Sequence, residues 1–389
     1  MRLLHTSDWH LGRSFHRESL HDAQHAFLDH LVDVVRSEGV DAVLVAGDVY
    51  DRALPSLDAV ALFDDVLHRL AELQVPTVFI SGNHDSARRL GVGAGLIGRA
   101  GIHLRTDPGE CAEPVLLADE HGPVAVYGLP YLEPTLVRER FGLAKGGHAA
   151  VLGAAMEQVR ADLAARPEGT RAVVLAHAFV TGAAASDSER DIAVGGVAAV
   201  PASVFDGVHY AALGHLHGCQ TLAPHLRYSG SPLAYSFSEA RQRKTMWLVD
   251  LAADGAVTAE RVDCPRPRPL ATLRGTLAEL LADEQHTEHE QSWVQVTLTD
   301  SARPSEPMEQ LRRRFPHTLQ LLFDPEDGGA EPSRSYASRV SGRGDLEIAE
   351  GFLRHVRPGA EPEPDELGWL REGFEHVRTD ADRKADLPR

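Results

Sequence analysis

Five short polar segments punctuate the first 220 residues, each at the end of an apolar run. They are Asp8-Trp9-His10, Gly47-Asp48-Val49-Tyr50-Asp51, Gly82-Asn83-His84-Asp85, the lone His177 after Val173 to Ala176, and Gly214-His215-Leu216-His217. Carboxylate, imidazole and amide oxygen without thiolate form a ligand set suited to manganese, iron or zinc in an open catalytic site. Two such ions roughly 3.5 to 4 Å apart, sharing one carboxylate, would clamp the attacking and leaving oxygens of an in-line phosphoryl displacement. The ions would activate a water, and a nearby histidine could give the departing alkoxide its proton. Any one of these triplets arises often by chance; five of them, each where a strand ends, predict a single site.

The elements that must position these residues follow from periodicity. A strand over Leu3 to His5, a helix near His21 to Glu38, a strand over Ala42 to Ala46, a helix near Ser56 to Leu73 and a strand over Thr77 to Ile80 alternate as β and α. That order predicts a layered α/β domain, with ligands gathered at the carboxyl ends of its strands. Further strands are expected at Val124 to Gly128, Ala172 to Ala176, His209 to Leu213 and Met246 to Leu251, and the shorter spacing after His209 predicts a more antiparallel second half. Glycines before Asp48, Asn83 and His215 allow sharp turns and close backbone approach.

At Pro265-Arg266-Pro267-Arg268-Pro269 the composition becomes that of a stiff connector, so a boundary is placed there. The expected domains are 1–264, carrying the metal chemistry, 265–340, a small unit and its linker, and 341–389, a helix pair and tail. The small unit should be α+β, with a helix over Leu273 to Leu281, a strand over Trp293 to Leu298, a helix over Met308 to Arg314 and a strand over Thr318 to Phe323. The Gly- and Pro-rich stretch Asp324 to Ser341 reads as a tether. Beyond it, Leu346, Ala349, Leu353 and Val356 share one helical face, and Leu367, Leu370, Phe374 and Val377 share another.

The 389 residues carry a net charge of −18, which by itself argues against a nucleic-acid binder. Bound divalent ions would offset that locally, and Arg13, His16, Arg17, Arg52, Arg88 and Arg89 flank the motifs. The polar turn at His5 to Asp8 leaves no apolar run for a signal peptide, and no run approaches a membrane span. Three widely spaced cysteines offer neither a disulfide framework nor a zinc site, so a cytoplasmic protein is expected. Gly93 to Gly98 matches G-x-G-x-x-G without a preceding strand and is not read as a dinucleotide site. His21 and His25 lack the glutamate of H-E-x-x-H and read as a solvated helix face.

Over residues 1 to about 250, the five motifs resemble the calcineurin-like metallophosphoesterase superfamily. Within it, His5 to Gly12, Gly47 to Arg52 and Tyr228-Ser229-Gly230-Ser231-Pro232-Leu233 resemble the SbcD exonuclease family. The resemblance implies a layered phosphoesterase sandwich with a small α+β capping domain and a C-terminal helix pair. It implies that Asp8, His10, Asp48 and His217 hold one metal, that Asp48, Asn83, His177 and His215 hold the second, and that both ions are divalent, with manganese expected. His84 would face the scissile phosphate and Asp85 would orient it. Asp51 stands where archaeal and eukaryotic relatives carry histidine, so that histidine's role does not transfer; a turn-capping carboxylate is an equal reading of Asp51. The implied protein is the nuclease of an SbcCD-type complex, acting 3′ to 5′ on double-stranded DNA and opening hairpins in DNA repair, replication and recombination. An SbcC-like coiled-coil ATPase and a second copy of the chain are the implied partners. Two alternatives stay open: a phosphodiesterase for nucleotides or other small molecules, and a DNA-holding scaffold without catalysis.

Overall fold

The computed structural model describes residues 1–189, 199–325, 344–356 and 361–385. They form two compact units, Met1–Asp324 and the chain from Pro325 onward. Most of the expected Asp324 to Ser341 tether lies outside the described residues.

Two six-stranded sheets make the body of the first unit. One runs Val257–Asp263, Thr245–Leu251, Arg2–Thr6, Ala42–Ala46, Thr77–Ile80, Ile102–Arg105, parallel through its last four strands and antiparallel through Thr245–Leu251 and Val257–Asp263. The other runs Gln220–Ala223, Leu226–Tyr228, Tyr210–Gly214, Arg171–His177, Gly122–Leu129, Val115–Asp119. The second half is antiparallel only in part: Gln220–Ala223 pairs so with Leu226–Tyr228 and Thr245–Leu251 with Val257–Asp263, whereas the strands from Leu270 to Phe323 pair in parallel. Leu226–Tyr228 lies parallel to Tyr210–Gly214, with Gln220–Ala223 returning the chain between them.

The layering follows from side-chain alternation, because successive residues of a strand face opposite sides. Val43 and Val45 pack with Phe27, Leu31, Leu62 and Val66 of the helices His21–Ser37 and Leu57–Glu72, while Ala42 and Leu44 face the second sheet. In the second sheet Val173 and Leu175 face the first, and Val174 and Ala176 pack under the helix His148–Ala164 through Val151, Ala155 and Val159. Strands covered on both faces can be apolar throughout, which is why Ala42 to Ala46 reads as an unbroken run. The result is an α/β/β/α sandwich.

The small unit departs from expectation at its start. Leu270–Gly275 is a strand, not the beginning of a helix, and pairs in parallel with Trp293–Leu298, which pairs in parallel with Thr318–Phe323. The helix begins only after Thr276, whose hydroxyl accepts from the Glu279 backbone N–H while Glu279 accepts from the Thr276 N–H. This reciprocal cap is a sequence signature, Thr-x-x-Glu, and it marks the strand–helix boundary that apolar periodicity blurred. Phe15, Leu20, Tyr235 and Phe237 pack with Leu270, Trp293 and Leu319, so the small sheet rests on the loops beside the motifs.

The second unit contains the helices Asp345–Val356 and Pro364–Ala385, in contact with each other. Leu346, Ala349, Leu353, Leu367, Leu370 and Phe374 are half-buried, whereas Phe352 and Trp369 are exposed. Among the described residues no helix is long and apolar enough to cross a membrane.

Candidate metal centre

The ligand-bearing turns are stitched together by backbone. Asp8 N–H donates to Gly47 O (3.0 Å), His10 N–H to Asp48 O (3.0 Å) and Leu11 N–H to Val49 O (2.9 Å), so the first two turns run side by side. Gly47 sits at φ 90°, and a Cβ there would meet His177 Nδ1 at 2.5 Å. A Cβ on Gly82 would run into the backbone N and the carboxylate of Asp48. Asp8, His10, Asp48 and His215 all adopt positive φ, at 54°, 46°, 49° and 104°. Such conformations cost roughly 1–3 kcal/mol each and persist only where surrounding bonds over-determine them.

All seven expected ligands converge in one largely buried cluster. His10 Nε2 lies 3.1 Å from His217 Nε2 and 3.7 Å from Asp48 Oδ2. Asn83 Oδ1 lies 2.9 Å from His177 Nε2 and 3.2 Å from His215 Nδ1, and His177 Nε2 lies 3.4 Å from Asp48 Oδ2. Asp8 accepts from the His215 N–H at 3.0 Å and from Ser7 Oγ at 2.5 Å. Asp8, His10 and His217 could hold one ion, and Asp48 joins Asp8 and His177 in another possible group. Asp48 also belongs to a third, with His10 and His84. Asp48 thus recurs beside residues expected at both sites, as does Asp8, and that is the placement a bridging carboxylate needs.

The donor chemistry fits cations. His177 Nδ1 lies 2.9 Å from Ala46 O, a carbonyl that can only accept, so a neutral ring carries its proton there and presents a bare Nε2 lone pair. That lone pair faces Asn83 Oδ1, another acceptor, and with the amide placed this way only a positive charge reconciles the two. Without metal, the charge is a proton: burial opposes it, but Asp48 and Asp8 raise His177 to about 9. Burial raises Asp8 to about 6 and lowers His215 to about 3. Burial also opposes ionisation of Asp48, yet His177, His10 and His84 hold its carboxyl well below the ordinary range.

His84 lies between the expected roles. Its Nδ1 is 2.8 Å from the carbonyl of Asp51, its backbone N–H donates to Asp48 Oδ1 at 2.8 Å, and its ring centre is 4.6 Å from that of His10. Asp85, expected to orient it, has a further part in the site. Its carboxylate accepts from the N–H groups of Gly82 (2.9 Å), Val49 (3.1 Å) and Tyr50 (2.9 Å), so it clamps the second and third turns together, and the Asp51 carbonyl holds the His84 ring. Burial and the neighbouring Asp48 push Asp85 up to about 7, against those three donors. Asp51 directs its side chain toward Arg13 (3.7 Å), Arg52 (3.4 Å) and His10 Nδ1 (3.9 Å) rather than simply capping a turn.

Motif reading missed the residues behind these. Gln24, on the first helix, donates to His10 O (2.8 Å) and accepts from Gly12 N–H (3.0 Å); Tyr235 donates to Trp9 O at 2.5 Å. Ser188 Oγ lies 2.6 Å and Glu239 Oε1 3.4 Å from His217 Nδ1. Nothing in residue type or spacing singles these out, except that Tyr235 and Glu239 follow closely on the Tyr228 to Leu233 stretch. Of the flanking basic residues, Arg13 stacks 4.8 Å over Tyr235 and reaches Ser188 O, while Arg89 Nη1 donates to Ala53 O. His25 pairs with Asp29 on an exposed face, and the Gly93 to Gly98 run follows a short helix, so neither joins the site.

A profile of calcineurin-like phosphoesterases matches residues 1–219, and the SbcD-type profile described as type 5 capsule protein repressor C-terminal domain matches residues 266–357. Solved structures similar to this chain include TT1561 of Thermus thermophilus (14% identity, 67% of this chain and 98% of that one, TM-score 0.39). A dimetal phosphatase from Danio rerio is similar at 15% identity (68% and 96%, TM-score 0.38), and an archaeal phosphodiesterase at 11% (67% and 100%, TM-score 0.30). With the first profile covering more than half the chain and the second covering the small unit and beyond, this chain belongs to the calcineurin-like phosphoesterase family as an SbcD-type, metal-dependent phosphoesterase.

Proposed function

We propose that this chain is the nuclease subunit of an SbcCD-type complex, hydrolysing DNA phosphodiester bonds with two divalent ions, manganese foremost. The observation that carries the reading is the placement of Asp48 among ligands of both sites, in a chain whose C-terminal part matches the SbcD-type profile. Asp8, His10, Asp48 and His217 hold one ion, and Asp48, Asn83, His177 and His215 the other. The ions supply Lewis acidity and an activated water when bound. His84, kept in place by the Asp51 carbonyl, points its remaining ring nitrogen at the scissile phosphate and protonates the leaving oxygen. Asp85 keeps the two turns that carry Asp48 and Asn83 in register.

A polymeric substrate is favoured by a cleft of about 670 Å³ beside Tyr235, lined by Arg13, His16 and Arg241 from the sandwich and by Thr272, Gln295 and Gln320 from the small sheet. Residues 265–340 then act as capping domain and linker, shaping access for a duplex, and 341–389 as the partner-binding pair and tail. Exposed Phe352 and Trp369 support a helix pair that grips the coiled coil of an ATPase. A second copy of the chain is favoured by Leu54, Leu57, Val92 and Leu96, each more than 70% exposed on segments joined by the Arg89–Ala53 bond. Three free thiols fit a cytoplasmic protein. The net charge of −18 favours the second reading, a phosphodiesterase for small molecules.

Manganese-dependent cleavage of duplex, hairpin and small phosphodiester substrates, with and without the ATPase, tests the proposal. Turnover of the small substrates alone would establish the second reading. A chain ending near Ser341 should stay folded, bind metal and cleave small phosphodiesters, yet fail to co-purify with the ATPase; an intact complex would refute the helix-pair assignment.

A further inference from the structure

Glu239 belongs to none of the five motifs, yet it is 1% exposed and sits behind one of their histidines. Its carboxylate meets Lys244 Nζ, Ser188 Oγ, the Tyr235 N–H (3.3 Å) and Nδ1 of His217 (3.4 Å). Lys244, itself buried, donates to the carbonyl of His217 (2.9 Å), to Ser231 Oγ (2.9 Å) and to Gln242 Oε1 (2.9 Å). The His217 backbone N–H donates to Glu189 at 2.8 Å. His217 is therefore held at three points: its ring by Ser188 Oγ (2.6 Å), which in turn donates to Glu239, and by Glu239 itself, its N–H by Glu189, and its C=O by Lys244.

Burying an ion pair costs several kcal/mol per ion, and well-packed apolar replacements often stabilise a fold as well or better. A buried Lys–Glu pair therefore calls for a reason beyond packing, and its geometry supplies one. A carboxylate behind a ligating histidine fixes the tautomer, orients the ring and raises the basicity of the opposite nitrogen. Here that nitrogen is Nε2, which faces His10 Nε2 at 3.1 Å. We propose that Glu239, anchored by Lys244, is a positioning residue that fixes the tautomer and aim of His217 and so sets the affinity of the ion held by Asp8, His10 and His217. The inference rests on the two-metal reading above.

The test is a manganese titration of the full-length, metal-free protein by calorimetry, with thermal melting of the metal-free forms alongside. The wild type should bind two ions. Glu239→Gln should weaken one of them about 10- to 100-fold, the scale of lost support behind a ligand, and leave the other unchanged. Glu239→Asp should recover part of the loss. Because Glu239→Gln strands a buried ammonium, the double variant Glu239→Gln/Lys244→Met removes both charges and should show the same selective weakening even if the single variant unfolds. Two ions bound at wild-type affinity by the folded double variant, whatever its melting temperature, would overturn the proposal and leave the metal centre standing. A wild-type protein that binds no manganese would instead refute the two-metal reading itself.

Discussion

The two sheets deliver their candidate ligands to the same place by different means. On the first sheet, Asp8, His10, Asp48 and Asn83 sit on turns laced by backbone hydrogen bonds and by the Asp85 carboxylate, which takes three N–H groups. On the second, His177 and His217 are aimed through their rings, one by the Ala46 carbonyl and the other by Ser188 and Glu239. The first arrangement is built from groups within the motifs themselves, whereas the second draws on Ala46, Ser188 and Glu239, which lie outside them. A backbone-laced turn fixes where a Cα lies, whereas a ring bond fixes which nitrogen faces the ion, and a two-ion site needs both.

The sharpest way to break this comparison is at its shared member. Asp48→Asn should lower occupancy of both ions and take cleavage to background, because every other ligand serves one ion; elemental analysis finding two ions at wild-type affinity would contradict the bridging role. Next in size, His84→Ala should keep both ions and substrate binding while losing roughly 10²- to 10⁴-fold in rate, the range for general acid catalysis. Loss of metal from that variant would make His84 a ligand, in line with its place beside His10 and Asp48.

Asp85→Asn probes the backbone lacing on its own. An amide cannot accept all three N–H bonds and turns its own N–H₂ toward one donor, so a cost of about 1–3 kcal/mol is expected, read as a lower melting temperature of the metal-free protein. His84 should still be held by Asp51, so substrate turnover at saturating manganese should fall less than in His84→Ala. A larger loss of rate than in His84→Ala would mark Asp85 as a residue acting directly on His84. The smallest effect belongs far from the metals. Thr276→Ala removes one capping box from the small unit and should cost about 1 kcal/mol, with manganese binding unchanged. Weakened metal binding in that variant would reveal a coupling between the small sheet and the centre that the two bracing modes do not include.

Much of this was readable beforehand because the strands are short, apolar runs punctuated by ligands. Ser56 caps the helix Leu57–Glu72 where its type and position place a cap, and Trp293–Leu298 and Thr318–Phe323 begin and end where expected. The error at Leu270–Gly275 has a plain cause. Leu273, Leu277 and Leu280 are spaced as a helix would space them, and only pairing with the later segment Trp293–Leu298 makes the first of them part of a strand.

By itself the sequence determined the residue types that cluster, the strand ends that carry them and the layered class of the fold, since these depend on residue chemistry and local period. Tertiary structure decided that Asp48 lies among residues expected at both sites, that Asp85 clamps the backbone of two turns, and that Glu239 and Lys244 stand behind His217. Those relations join residues far apart in the chain, as Asp48 and His177 are, or turn on which of several nearby donors a carboxylate reaches. Spacing along a chain carries no information about either, because both are set by how the two sheets stack.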